Sequence, residues 1–208
     1  MQSRFLHIDD TRTWDAFRDG NQAAFAHIYQ AYFQLLYNYG RKFSSDDALI
    51  GDTLQQLFTE LWQRRKRLGS TNQIRNYLYK SFRRALLKGL AKHAKSDAST
   101  DSLSFSIYLS YEARLIQQQH TEEQVAGLQQ AIAQLTEKQR EVVYLKFYDG
   151  LTYAEISDVM EITSAQAHDY MYKALKALRK NIKNNDNYSK ANTTAFILFF
   201  VCNLLLLL

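Results

Sequence analysis

The chain has 208 residues, and its 26 Lys and Arg residues against 21 Asp and Glu residues give a formal net charge of +5. Its single cysteine excludes a disulfide framework within one chain, and the absence of proline removes the strongest breaker of long helices. No alternating strand pattern of useful length is present. These features predict an all-α protein of one or two small domains, with enough positive charge to suit a polyanionic partner.

The N-terminal part carries two stripes of apolar and aromatic residues at helical spacing. One stripe lies in residues 24–37 and the other in residues 48–62. The polar residues 44–47 between them are good N-caps for the second helix. We therefore predict two helices that pack together in a first domain.

A basic block follows these helices. Residues 61–96 contain no acidic residue, and apolar positions within residues 74–86 recur at helical spacing, which places basic side chains along a neighbouring face. Basic groups can follow phosphates while aromatic rings stack on unpaired bases, so the mixture suits melting DNA. The candidate residues are Arg75, Tyr77, Tyr79, Lys80, Arg83, Arg84 and Lys88. The alternative is a solvated basic face whose aromatic residues belong to the core.

The middle of the chain is polar and weakly periodic, which predicts a flexible linker. We place a first domain at residues 1–90, the linker at 91–121, a second domain at 122–183, and a polar spacer with a hydrophobic tail at 184–208. Within the second domain, Thr136 and Gln139 have the spacing of a capping box.

Residues 151–180 have the pattern of a helix-turn-helix. Thr152 can cap a first short helix, and Thr163 or Ser164 can cap a second helix with a continuous apolar stripe. Glu161 falls at the turn position that adopts positive φ. The second helix then leaves an outer face suited to a major groove. The candidate DNA-binding residues on this helix are Ser164, Gln166, His168, Asp169, Tyr172, Lys173 and Lys176. A helical bundle that never touches DNA is the alternative.

The chain ends in an almost wholly apolar stretch, Ala195 to Leu208. A helix that crosses a bilayer needs about 20 residues, so a full span is not predicted. Two interpretations stay open: a tail helix that contacts or anchors in the inner membrane, and a tail that packs on the protein's own domains or on a regulatory partner.

The sequence offers no catalytic or cofactor-binding pattern. The five histidines lack metal-ligand spacing, Cys202 stands alone in the tail, and neither a glycine-rich phosphate loop nor a Ser-His-Asp arrangement is present. We predict a protein that is not an enzyme and that uses no cofactor or metal. Residues 1–17 lack the apolar stretch of a secretory signal, so the cytoplasm is the expected location.

Two segments resemble regions of bacterial sigma factors, especially the small extracytoplasmic-function (ECF) group of the sigma-70 family. Residues 20–88 resemble the second conserved region through residues 52–62 and 74–80. Residues 124–182 resemble the fourth through residues 135–142 and 150–156. Both segments occur in the family's order, separated by a polar linker.

The resemblance implies roles for particular positions. Residues that would dock on the clamp helices of core RNA polymerase are Asp52, Gln55, Gln56, Phe58 and Trp62. The segment 75–88 would capture the melted −10 element, the helix from Ser164 would read the −35 element, and the linker would run through polymerase channels. Family members often carry Asn near the position of Arg84, and Lys or Arg where this chain has His168 and Asp169, so base preference is not transferred. Because Gln can pair bidentately with adenine, Gln166 is the first candidate for direct readout.

The main interpretation is therefore a sigma factor whose partners are core RNA polymerase, promoter DNA and an anti-sigma factor. A stand-alone helix-turn-helix regulator is the alternative, because it needs no docking segment for the polymerase. A third interpretation is a membrane-linked adaptor that does not bind DNA.

Overall fold

The computed structural model describes residues 10–96, 105–107 and 129–183. They form an N-terminal unit of residues 10–96 and a C-terminal unit that contains residues 105–107, 129–157 and 162–183. All regular secondary structure within these ranges is helical, which confirms the predicted all-α fold of two small helical domains.

The N-terminal unit is built from four α-helices and one turn of 3-10 helix. They are α1 (Asp10–Arg18), α2 (Gln22–Gly40), α3 (Asp47–Arg64), the 3-10 turn (Arg65–Arg67) and α4 (Ile74–Ser96). The side chain of Asn21 caps α2 by accepting a hydrogen bond from the Ala24 N–H, and Asp46 caps α3 in the same way through Leu49. The predicted capping of α3 by residues 44–47 is thus confirmed.

The core of this unit lies where α2, α3 and α4 meet. Tyr39, Ile50, Leu54 and Phe82 are among the buried side chains there. Gly40 lies at the closest approach: a Cβ atom at this position would come within 2.9 Å of the Phe82 ring and 3.0 Å of Ile50 Cγ2. Glycine therefore allows the end of α2 to pack directly against the other two helices.

Helix α1 was not predicted from the sequence. It forms hydrogen bonds with the loop that precedes α4 and with the first residue of α4. The Trp14 indole N–H donates to the Gly69 carbonyl at 2.8 Å, and the Ser70 hydroxyl donates to Asp15 at 3.1 Å. The carboxylate of Asp10 accepts from the Ile74 N–H at the start of α4 at 3.1 Å. A short nine-residue helix gave too little periodic signal, and its role depends on contacts far along the chain.

The C-terminal unit contains α5 (Glu137–Phe147), α6 (Tyr153–Met160) and α7 (Ser164–Lys183), and residues 129–133 are helical. Gly150 follows α5 with φ of 63°, and Glu161 joins α6 to α7 with φ of 56°. The prediction that Glu161 adopts the left-handed conformation at the turn is confirmed.

Capping boxes begin all three of these helices. Thr136 pairs with Gln139, Thr152 with Glu155, and Thr163 with Gln166. In each pair the threonine hydroxyl accepts the N–H three residues on, and the longer side chain accepts the threonine N–H. The predicted box at Thr136 is confirmed, and of the two candidate caps for α7 the structure uses Thr163.

Two features differ from the predicted linker at residues 91–121. Helix α4 extends to Ser96, because residues 91–96 contain neither glycine nor proline to end it. Residues 105–107 pack into the C-terminal unit, where Phe105 and Ile107 are buried. The predicted tail at 195–208 lies outside the described residues, and no helix among the described residues is long and apolar enough to cross a membrane.

Candidate nucleic-acid and polymerase interfaces

Helix α7 presents a polar face above a buried stripe. The stripe consists of Ala167, Met171, Ala174 and Leu178, all buried against the rest of the C-terminal unit. The structure leaves exposed all seven residues proposed to contact the −35 element, namely Ser164, Gln166, His168, Asp169, Tyr172, Lys173 and Lys176. Tyr172 is the most open, with 65% of its surface accessible. This face is available to a groove without any rearrangement of the core.

The Gln166 side chain is engaged at the start of α7. Its Oε1 accepts from the Thr163 N–H at 2.9 Å and from the Thr163 hydroxyl at 3.2 Å. An amide oxygen has two lone pairs, and a bidentate pair with adenine requires this oxygen as acceptor. In this arrangement Gln166 acts as a capping residue, and its direct readout of a base stays a prediction.

Charge on the exposed face of α7 is partly neutralised within the helix. The Lys173 ammonium donates to the Asp169 carboxylate at 2.7 Å, one helical turn away. This hydrogen bond raises the pKa of Lys173 above its ordinary value. Asp169 therefore holds Lys173 and also opposes an approaching phosphate.

Three side chains are layered where α6 meets α7. The rings of Tyr153 and His168 are stacked with centroids 3.7 Å apart, and the Lys146 ammonium lies 5.0 Å from the Tyr153 ring centroid. Lys146 also donates to the Leu151 carbonyl at 3.2 Å. This stack links α5, α6 and α7 and orients the His168 ring on the outer face of α7.

The candidates on α4 separate into exposed and buried positions. Arg84 and Lys88 are exposed, whereas Arg75, Tyr77, Lys80 and Arg83 are half-buried. Tyr79 is 0% exposed and its ring lies 5.3 Å from that of Tyr39. Burial therefore assigns Tyr79 to the core, because a ring without accessible surface cannot stack on a base. The basic face of α4 is formed by the exposed and half-buried Arg and Lys residues around Tyr79.

The loop before α4 adds cations that the candidate set omitted. Lys66 and Arg67 are exposed. The Arg65 guanidinium lies over the Trp62 ring at 4.2 Å and donates to the Trp62 carbonyl. The basic composition of residues 64–67 could have indicated this loop, but only the structure separates the exposed cations from the one that packs on Trp62.

An aromatic groove of about 660 Å³ runs between α2 and α3. Phe25, Tyr29, Phe33, Phe58 and Trp62 line it, with Asp52, Gln55 and Thr59 among the polar lining residues. The rings contact one another, and the Tyr29 and Phe58 centroids are 4.8 Å apart. This groove is an apolar depression with an acidic and amide-bearing rim.

The structure brings together four of the five residues proposed to dock on the polymerase. Asp52, Gln55, Phe58 and Trp62 share the aromatic groove, although Phe58 is only 3% exposed and forms its floor. Gln56 lines the groove between α3 and α4 instead, where it donates to Glu60 at 3.0 Å. The docking role of these residues stays a prediction.

Comparison with known proteins gives a consistent result for both units. A family model described as Sigma-70 region 2 matches residues 28–96, and one described as Sigma-70, region 4 matches residues 126–178. The chain is 24% identical to the ECF RNA polymerase sigma factor SigM of Bacillus subtilis (strain 168) over 152 residues, which is 73% of this chain and 91% of SigM.

Solved structures share the fold at low sequence identity. The structure of CnrH in complex with the cytosolic domain of CnrY superposes with a TM-score of 0.58 at 16% identity, covering 85% of this chain and 99% of CnrH. The sigma factor RpoE of Bartonella quintana, in complex with the anti-sigma factor NepR, gives a TM-score of 0.56 at 15% identity, covering 77% of this chain and 98% of RpoE.

The two family models together match more than half of the chain, in the family's order. The chain therefore belongs to the sigma-70 family of RNA polymerase sigma factors, in its ECF group. It directs core RNA polymerase to specific promoters and assists DNA melting at initiation.

Proposed function

We propose that the two units divide the work of initiation between them. The exposed face of α7 enters the major groove at the −35 element, while α4 and the loop before it bind the −10 element. The observation that carries this proposal is the uninterrupted exposed face of α7 above its buried stripe. It is the surface that a recognition helix needs, since base edges are read by side chains that point away from the core.

Readout at the −35 element then falls mainly on the second and third turns of α7. His168 is oriented by its stack on Tyr153, and Tyr172 is open to contact. Lys176 is exposed and available to a phosphate, whereas Lys173 is paired with Asp169. Thr163 and Gln166 form the capping box at the N-terminus of α7. The partial positive charge of this helix end favours a nearby phosphate.

The N-terminal unit supplies melting and attachment. Arg84 and Lys88 on α4, with Lys66 and Arg67 on the preceding loop, offer exposed positive charge to the DNA backbone. The half-buried Tyr77, which meets Trp14 edge-on at 5.3 Å, is the aromatic candidate for an unpaired base. The aromatic groove between α2 and α3 is the surface for core polymerase, since concave apolar surfaces with a polar rim suit helical partners.

Transcription reconstituted from purified parts tests this function. Core RNA polymerase with the full chain should initiate on promoters selected by the holoenzyme, and core polymerase alone should not. The chain should also co-purify with core. A stand-alone regulator would bind promoter DNA without core and would fail to restore initiation, so that outcome rejects the proposal.

Regulation and location follow from the same assignment. CnrH and RpoE were solved with protein partners, NepR being an anti-sigma factor, and we propose that a protein of this class controls the present chain as well. As a sigma factor it works where polymerase meets the chromosome, in the cytoplasm. The hydrophobic tail as a membrane contact stays a prediction, which fractionation of cells with full-length and tail-deleted protein would test.

A further inference from the structure

The loop of residues 68–73, between the 3-10 turn and α4, is held by side chains of α1. It has no regular secondary structure, and Gly69 and Ser70 are exposed. The Gly69 carbonyl accepts from the Trp14 indole N–H at 2.8 Å. The Ser70 hydroxyl donates to Asp15 at 3.1 Å. A hydrogen bond of this kind shifts a conformational equilibrium by about two- to tenfold, so the two bonds together favour one conformation of the loop.

The end of the same loop is fixed by the first residue of α1. Asp10 accepts from the N–H of Ile74, the residue that begins α4, at 3.1 Å. The first N–H groups of a helix have no partner within that helix, so Asp10 does for α4 what an N-cap side chain ordinarily does. Helix α1 therefore holds the loop both in its first half and at its junction with α4.

Trp14 contacts both the loop and an aromatic ring of α4. Its side chain is 1% exposed, and it packs on Phe17 with ring centroids 5.1 Å apart. Its ring also meets Tyr77 edge-on at 5.3 Å, and Tyr77 is the half-buried ring assigned above to an unpaired base. The exposed cations Lys66 and Arg67 directly precede the loop. One buried side chain thus links the loop beside these cations to the ring that would stack on a base.

We propose that α1 positions the 68–73 loop and Tyr77 for the capture of unpaired bases at the −10 element, with Trp14 as the positioning residue. The inference rests on the proposed function, because it requires the loop and Tyr77 to bind this element. Trp14 has almost no accessible surface of its own, so it acts through its two contacts. A loop and a ring that already hold the binding conformation lose less conformational entropy when DNA binds. Base capture then offsets more of the cost of opening the duplex.

A purely structural role for α1 predicts a different pattern of transcription. Loss of stability lowers the fraction of folded protein, which reduces the transcript from every template by the same factor. Loss of positioning weakens base capture, which matters most where the duplex must be opened. On a template with a preformed bubble across the −10 element the bases are already unpaired, so weaker capture changes the open fraction little. The ratio of transcript from duplex template to transcript from bubble template separates the two roles.

Transcription with saturating holoenzyme on these two templates tests the proposal, at a temperature at which the wild type opens only a small fraction of the duplex. The double variant Trp14→Phe, Ser70→Ala keeps an aromatic ring in the core but removes both hydrogen bonds to the loop. We expect its transcript to fall at least about fivefold on the duplex and less than about twofold on the bubble. Gly40→Ala, which disturbs the same unit at Phe82 and Ile50, is the matched control and should keep the wild-type ratio.

A milder variant keeps the test informative if the double variant does not fold. Ser70→Ala alone changes an exposed side chain and removes one hydrogen bond, so it should lower the duplex-to-bubble ratio about twofold. An unchanged ratio in Ser70→Ala, or in a folded double variant, overturns the proposal. A ratio that falls as far in Gly40→Ala as in the double variant also overturns it, because the effect would then follow stability.

The wild-type protein separates this inference from the proposed function. Transcript from core polymerase alone is subtracted as the background on both templates. If the wild-type holoenzyme initiates on neither template above this background, the proposed function fails. If it initiates on both and the variants keep the wild-type ratio, only the positioning role of α1 fails.

Discussion

Gln166 caps the first turn of α7: its Oε1 accepts a hydrogen bond from the Thr163 N–H at 2.9 Å. The residue that sequence reasoning selected as the first base reader is therefore occupied as a helix cap. Thr163→Ala and Gln166→Ala each remove the capping box, so both should lower the free energy of unfolding of the C-terminal unit by about 1 kcal/mol. Chemical denaturation of the isolated variants measures this.

The same pair separates capping from readout. Thr163→Ala removes the cap but leaves the Gln166 amide in place, so it is the matched control. Direct readout predicts that only Gln166→Ala loses base preference, by roughly 1–3 kcal/mol at one −35 position. An unchanged preference with both variants would leave Gln166 only its role as a helix cap.

The ion pair between Asp169 and Lys173 should restrain DNA affinity. Asp169→Asn removes a negative charge from the groove-facing surface and frees Lys173 for a phosphate. Holoenzyme binding to promoter DNA should tighten, and the slope of log K against log salt should steepen by about 0.9 for the added phosphate contact. In the Asp169→Asn background, Lys173→Gln should remove this gain and return the slope to the wild-type value. Equal slopes for wild type and Asp169→Asn would show that Lys173 already contacts a phosphate.

Neighbouring residues on α7 should separate binding from stability. Tyr172 is 65% exposed, and Met171 beside it is buried. Tyr172→Ala should change the free energy of unfolding by less than about 0.5 kcal/mol while reducing −35-dependent transcription several-fold. Met171→Ala should cost about 2–5 kcal/mol of stability. If Tyr172→Ala leaves transcription unchanged, the exposed ring does not touch the promoter.

Adjacent glutamines on α3 can identify the face that docks on polymerase. Gln55 lies in the aromatic groove between α2 and α3, whereas Gln56 lies in the groove between α3 and α4. Gln55→Arg places a charge that a docking partner must desolvate, so affinity for core should fall at least tenfold, or about 1.4 kcal/mol. Gln56→Arg is the matched control. A larger loss with Gln56→Arg would move the docking surface to the other groove.

Two glycines in the N-terminal unit should respond in opposite ways to alanine. Gly40→Ala would place its Cβ 2.9 Å from the rigid Phe82 ring, so we expect a loss of about 1–3 kcal/mol in the free energy of unfolding. Gly51→Ala meets no atom within 4 Å and should stabilise α3 by up to about 1 kcal/mol. Thermal and denaturant unfolding measure both, and similar melting temperatures for the two variants would contradict the close approach at Gly40.

The sequence by itself determined the features that depend on neighbours within one or two helical turns. The apolar stripe of α7, the caps at Asp46 and Thr136, and the positive φ of Glu161 follow from helical periodicity and from the hydrogen-bonding needs of helix ends. The exposed candidates on α7 follow from the same stripe, since the residues that remain lie on the outer face. The order of the two segments that resemble sigma-factor regions was also visible in the sequence alone.

Only the tertiary structure decided the features that depend on residues far apart in the chain. Tyr79 is buried because Tyr39, on another helix, covers it. Gln55 and Gln56 line different grooves because α2 packs on one side of α3 and α4 on the other. Helix α1 gains its role from contacts to residues 69–74, and the docking of residues 105–107 depends on Arg140. Periodicity indicates which face of a helix is buried, but it does not state which distant residue covers that face.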